Sequence, residues 1–96
     1  MRPDRLEVTP DARTLRIHWP DREPDEIPAA TLRAEARDAA SQRARLDGAL
    51  TVPPDIAITA MEAVGAMGVN IAFSDGHDRA IYPWPYLREI AAGLGN

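Results

Sequence analysis

The sequence predicts a small α+β domain, an antiparallel sheet built from two related strand-turn-strand-helix units with helices packed on one side. Three observations predict it. The run Leu15-Arg16-Ile17-His18-Trp19-Pro20-Asp21 returns as Val69-Asn70-Ile71-Ala72-Phe73-Ser74-Asp75. Both runs alternate apolar and polar residues, so Leu15, Ile17 and Trp19 share one strand face, as do Val69, Ile71 and Phe73. Six residues beyond each aspartate stands an isoleucine, Ile27 or Ile81, followed by a proline-marked helix start with Leu32-Arg33 or Leu87-Arg88. Finally, 96 residues fold as one domain, 1–96, with one modest core, and an isolated hairpin is marginal in water. The two units are therefore expected to cover each other's apolar faces.

In chain order, Leu6 and Val8 suggest a short opening strand before a Pro10-Asp11 turn, and the first repeat follows. Ala29 to Leu46 has helix-forming composition, no internal proline or glycine, and Gly48 just beyond, which predicts a helix. Only Leu32 and Leu46 are large there, so residues 34–50 are open between a stable helix and a mobile loop. Pro53-Pro54 breaks structure. Ile56 to Val64 reads as a strand pairing with Val69 to Phe73 across a Gly65-Ala66-Met67-Gly68 turn. Ser74-Asp75-Gly76 predicts a three-residue hairpin loop with His77 opposite Phe73, in a register that turns Ile81 to the same face as Val69 and Ile71. The final helix is expected from about Pro85 through Leu87, Ile90, Ala91 and Leu94, ended by Gly93 and Gly95.

The chain carries 11 Lys+Arg against 15 Asp+Glu, a net charge of −4. The arginines at 33, 37, 43 and 45 are interleaved with Glu35, Asp38 and Asp47, which reads as a solvated helix face, so no nucleic-acid partner is expected. Cysteine is absent, which excludes disulfides and thiolate chemistry. Neither an apolar run long enough to span a membrane nor a signal peptide is visible, so a cytoplasmic protein with no membrane partner is expected.

The residues Phe73-Ser74-Asp75-Gly76-His77, Ile81-Tyr82, Trp84 and Tyr86-Leu87-Arg88 strongly resemble the gamma-butyrobetaine hydroxylase-like N-terminal domain family. The resemblance runs from about Leu15 to Ile90, supported by the Leu15 to Trp19 strand, the Ile27-Pro28 to Leu32-Arg33 step and Ala63-Val64-Gly65. It implies a domain that precedes an iron and 2-oxoglutarate oxygenase domain in the large hydroxylases and there carries a structural zinc on three cysteines and one histidine. It also implies stand-alone bacterial members and relatives fused to P-loop ATPases of iron–sulfur cluster assembly. Carried over, the zinc histidine falls on His77, and the cysteine cluster falls near Ala36, Asp38 and Ser41. Three of the four ligands are thus missing, and zinc needs about four. Arg22, Ala66-Met67 and the prolines around Trp84 also depart from the family pattern.

No nucleophile motif or phosphate loop is present, and a 2-His-1-carboxylate iron centre does not fit His18 and His77, so no catalytic residues and no cofactor are expected. His18 reads as an exposed sheet histidine and His77 as a hairpin histidine packed on Phe73. Two functions follow. The first is a non-catalytic accessory module binding an iron–sulfur assembly ATPase or an iron oxygenase, with Tyr82, Trp84, Tyr86 and Arg88 as partner-binding candidates; the three aromatics read either as core anchors or as a partner-facing patch, and in the second reading Trp84 is a stiff anchor between Pro83 and Pro85. The alternative is a small-ligand or metal carrier using the Asp75-Gly76-His77-Asp78 turn, with His77, Asp75 and Asp78 as weak ligand candidates.

Overall fold

The strands expected at Leu6 to Val8 and within Ile56 to Val64 each lead one of the two repeats. The computed structural model describes residues 2–94, and in them β1 (Arg5–Val8), β2 (Thr14–His18) and β3 (Asp25–Pro28) form one antiparallel meander that runs straight into α1 (Ala29–Ala34). After α2 (Ala39–Leu46), β4 (Ile58–Val64), β5 (Gly68–Phe73) and β6 (Ala80–Pro83) form a second meander that runs straight into α3 (Trp84–Leu94). The single sheet expected is therefore two three-stranded sheets. No strand ladder joins them; Ile58 N–H donating to the Ala12 carbonyl at 2.7 Å is a tie between them, and a shared core does the rest. Among the described residues no helix is long and apolar enough to cross a membrane.

The alternation in the sequence places the core. Leu15, Ile17 and Ile27 from the first sheet, Val69, Ile71, Phe73 and Tyr82 from the second, Leu32 from α1 and Leu87 from α3 are all buried in one cluster. At roughly 1.5–3 kcal/mol per large apolar side chain, these residues supply the main favourable term of folding. Trp19 and Phe73, matched in the repeat, are 4% and 2% exposed. Both helices start the same way: Ala29 N–H donates to the Arg13 carbonyl at 2.7 Å and Trp84 N–H to the Met67 carbonyl at 3.1 Å, in each case the residue just before the middle strand.

The second hairpin has the expected loop but not the expected register. Phe73 N–H donates to the His77 carbonyl at 2.8 Å around Ser74-Asp75-Gly76, with Gly76 at φ 90°. Beyond that point Ile71 pairs with Ala80 and Val69 with Tyr82, so Asp78 and Arg79 together stand opposite Ala72, one residue too many, as in a β-bulge. A one-residue slip exchanges the faces of a strand. Ile81 accordingly points to solvent at 48% exposure, and Tyr82 is fully buried. The slip is favourable because Tyr82 buries a larger ring and its hydroxyl reaches the Leu32 carbonyl at 2.5 Å. The counterpart of Ile27, which pairs with Leu15, is thus Tyr82 and not Ile81.

The long helix expected over Ala29–Leu46 is broken at residues 35–38. Asp38 leaves helical geometry (φ −65°, ψ 157°) so that its carboxylate can accept the Ser41 N–H at 3.0 Å, which caps α2. Leu32 and Ala36 are buried, whereas Leu46 is 88% exposed and α2 buries only Ser41. At the other end of the chain, Gly93 lies inside α3 instead of ending it, and Gly95 lies outside the described residues.

Candidate functional site

A closed ring of hydrogen bonds, two of them donated by the backbone N–H groups of Ser41 and His77, joins the α1–α2 break to the turn of the second hairpin. Asp75 Oδ1 accepts the backbone N–H of His77 at 3.0 Å, shaping the turn, while Asp75 Oδ2 accepts Arg33 Nε at 2.8 Å. Arg33 Nη1 donates to Ser41 Oγ at 2.9 Å, the Ser41 N–H donates to Asp38 Oδ2, and Asp38 Oδ1 lies 2.9 Å from His77 Nε2. Arg33 is 8% exposed and Ser41 2%. The solvated helix face expected around Arg33 is therefore wrong for this residue. Its charge stays underground because a carboxylate and a hydroxyl meet it there.

The ring controls its two carboxylates. Burial raises Asp38, but the hydrogen bonds from Ser41 and His77 outweigh it and leave the carboxyl below its ordinary value. Burial likewise raises Asp75, and the Arg33 guanidinium with the His77 N–H brings it below the usual range.

A second arginine–aspartate pair stands at the repeat-related positions. Arg88 of α3 forks onto Asp21 in the first hairpin turn at 3.1 and 2.9 Å, with its guanidinium 4.6 Å from the Trp19 ring centroid. The helix arginine of each repeat thus binds the turn aspartate of the other. The matched Leu32-Arg33 and Leu87-Arg88 pairs and the matched Asp21 and Asp75 were visible in the sequence, but their pairing across the repeats and the role of Arg33 were missed.

The metal candidates are not brought together. His77 faces Asp38, Asp75 faces Arg33, and Asp78 is exposed and offers its backbone carbonyl to Asn70 Nδ2 at 3.2 Å. Among the described residues no group of three or more His, Asp or Glu could hold a metal ion. Nor do the positions where the resemblance puts zinc ligands fit that ion. Ala36 has no donor, Asp38 and Ser41 are engaged within the ring, and a guanidinium already sits beside them. His77 pairs with Phe73 through its backbone, as expected, but its ring goes to Asp38. His18 lies on the outer face of the first sheet, 2.6 Å from Glu7 Oε1.

The aromatic partner-binding candidates are core. Trp84 is 8% exposed and donates its indole N–H to the Ala66 carbonyl at 2.9 Å, so of the two readings left open for it the fold builds the core one. Tyr86 is 8% exposed, stacks on Tyr82 at 6.2 Å, and donates to the Glu35 carbonyl. Burial pushes both phenols up. Arg37 lies over the Tyr86 ring at 3.5 Å, beside an open groove of about 350 Å³ lined by Thr31, Glu35, Arg37, Glu89 and Ile90.

What remains open is the outer face of the second sheet. The register puts Glu62, Asn70 and Ile81 in one row across it, Val64, Gly68 and Pro83 in the next, and Ala60 beside Ala72. Val64 and Ile81 are 39% and 48% exposed.

Comparison with known proteins agrees with this geometry. A crystal structure of a protein of unknown function from Acidithiobacillus ferrooxidans ATCC 23270, placed in the DUF971 family, is similar over 95% of this chain and 93% of its own, with 25% identity and a TM-score of 0.74. Two proteins solved in solution by NMR share the fold: one at 23% identity and TM-score 0.77 over 97% of this chain and 70% of its own, the other at 22% and 0.69 over 95% and 73%. No curated protein matches the chain. The family model described as gamma-butyrobetaine hydroxylase-like, N-terminal, matches residues 6–88, and the chain belongs to that family.

Proposed function

We propose that this chain is a non-catalytic accessory module of the cytoplasm that docks on a protein partner, an iron–sulfur cluster assembly ATPase or an iron oxygenase. The observation that carries the reading is the uncovered outer face of the second sheet, where Val64, Ile81 and Pro83 are exposed around Ala60 and Ala72. Apolar sheet surface left bare beside a completed core is what a docking face needs. The choice of an iron-linked partner rests on family analogy. The absence of catalysis is supported by the use of Asp38, Asp75, His77 and Arg33 to satisfy one another. The carrier reading is the weaker one, because two members of its turn, Asp75 and His77, already have partners.

The test is binding of the purified chain to a purified P-loop assembly ATPase and to a purified iron and 2-oxoglutarate oxygenase from the same organism. The parent is expected to bind one of them, and Ile81→Asp to weaken that binding by roughly tenfold or more with an unchanged melting temperature. Failure of the parent to bind either protein would remove the iron-linked reading. Equal binding by parent and variant would move the docking face elsewhere.

A further inference from the structure

We propose that the buried Arg33 guanidinium is the resident cation of the place where the family resemblance puts zinc, so that the site is held shut by an internal ion pair and keeps metal out. Three observations carry this. The ring Arg33–Asp75–His77–Asp38–Ser41 closes on itself, with each carboxylate oxygen of Asp38 and Asp75 in a hydrogen bond. The ring joins the same parts that a metal would join, the stretch from Ala36 to Ser41 and the hairpin turn at His77. The arginine–aspartate pair is also not a local accident, because Arg88 and Asp21 form it at the matching positions of the other repeat, where no histidine is present.

The two clasps differ in depth. The Arg33 side chain is 10% exposed and its Asp75 17%, against 26% for Arg88 and 40% for Asp21. Asp38, Ser41 and His77 are the additions that roof the first pair. A divalent ion entering there would meet a fixed positive charge and would have to strip Asp75 from its guanidinium. The fold accordingly stands without metal. Removing the guanidinium would free Asp75 Oδ2 and Ser41 Oγ next to the Asp38–His77 pair, so that a metal ion entering there would no longer meet a fixed positive charge.

Zinc chloride titrated by calorimetry into the parent, Arg33→Ala and the double variant Arg33→Ala/His77→Ala tests this. The parent is expected to show no saturable binding and the same melting temperature with and without EDTA. Arg33→Ala is expected to gain the saturable zinc binding that the parent lacks, and the double variant to lose that gain. Stoichiometric zinc in the parent, a melting temperature that falls on chelation, or no gain in Arg33→Ala would each overturn the proposal. If Arg33→Ala does not fold, Arg33→Lys takes its place. It keeps a cation in the site, so it is expected to bind zinc no better than the parent, and zinc binding by it would overturn the proposal.

Discussion

Arg33 Nε in the first repeat lies 2.8 Å from Asp75 Oδ2 in the second, and this contact makes the break between α1 and α2 intelligible. Arg33 can reach the second hairpin and Ser41 at once only because the chain turns at Glu35 to Asp38 and restarts as a capped helix. Local propensity favoured one helix, and a long-range ion pair with a side-chain cap overrode it.

The register of β6 is tested by neighbouring residues of opposite orientation. Tyr82→Ala should cost about 3–5 kcal/mol, as for a buried aromatic, whereas Ile81→Ser should stay within about 0.5 kcal/mol of the parent. Urea denaturation measures both. A larger cost at Ile81 than at Tyr82 would restore the register that simple alternation predicts.

Gly68 is required by close approach. A Cβ there would lie 2.6 Å from the Tyr82 carbonyl oxygen and 3.0 Å from Pro83 Cα, both backbone atoms that cannot rotate away. Gly68→Ala should therefore destabilise by about 1–3 kcal/mol. A thermal melt equal to the parent's would show that β5 and β6 separate more freely than their pairing implies.

The matched aromatics Trp19 and Phe73, and Trp84 at the start of α3, are all core residues. Truncating any one to alanine should cost roughly 3–5 kcal/mol, a large part of what a domain of this size has. A Trp84→Ala variant that melts like the parent would favour the partner-facing reading of Trp84 over the core one.

Much of this was legible in the chain. The alternation at Leu15 to Trp19 and Val69 to Phe73 marked core strands, and Asp75-Gly76 marked the hairpin loop. The Leu-Arg pairs marked two related helices. Three features were not legible, for physical reasons. The extra residue at Asp78-Arg79 leaves no trace in composition, yet it reverses every orientation after it. Arg33 sits among interleaved charges that look solvated, and only a contact with Asp75 from the other repeat makes its burial affordable. Trp84 between two prolines read either as core or as presented to solvent, and its first-turn position tucks the indole against Ala66.

Acid should loosen the ring. Asp38 and Asp75 have folded-state values below the ordinary 3.8, so each contributes stability above that pH, lost as pH falls through the lower folded value. The exposed carboxylates Glu7, Asp11 and Asp21 are lowered too, so the informative quantity is a difference. Between pH 5 and pH 2 the parent should lose more stability than Asp75→Asn, measured by denaturation at each pH. Equal losses would mean that Asp75 titrates alike in the folded and unfolded chain.

The most direct test of the reciprocal clasp is a double-mutant cycle on Arg33→Met and Asp75→Asn, read by urea denaturation at neutral pH. This partly buried pair should show a coupling energy on the order of 1–3 kcal/mol, so that the double variant is less destabilised than the sum of the single ones. The exposed pair Arg88 and Asp21 should couple more weakly in a parallel cycle, and its coupling should fall further in high salt. Strictly additive effects of Arg33→Met and Asp75→Asn would contradict the account, because they would mean that the Arg33–Asp75 contact adds nothing to the joining of the two repeats.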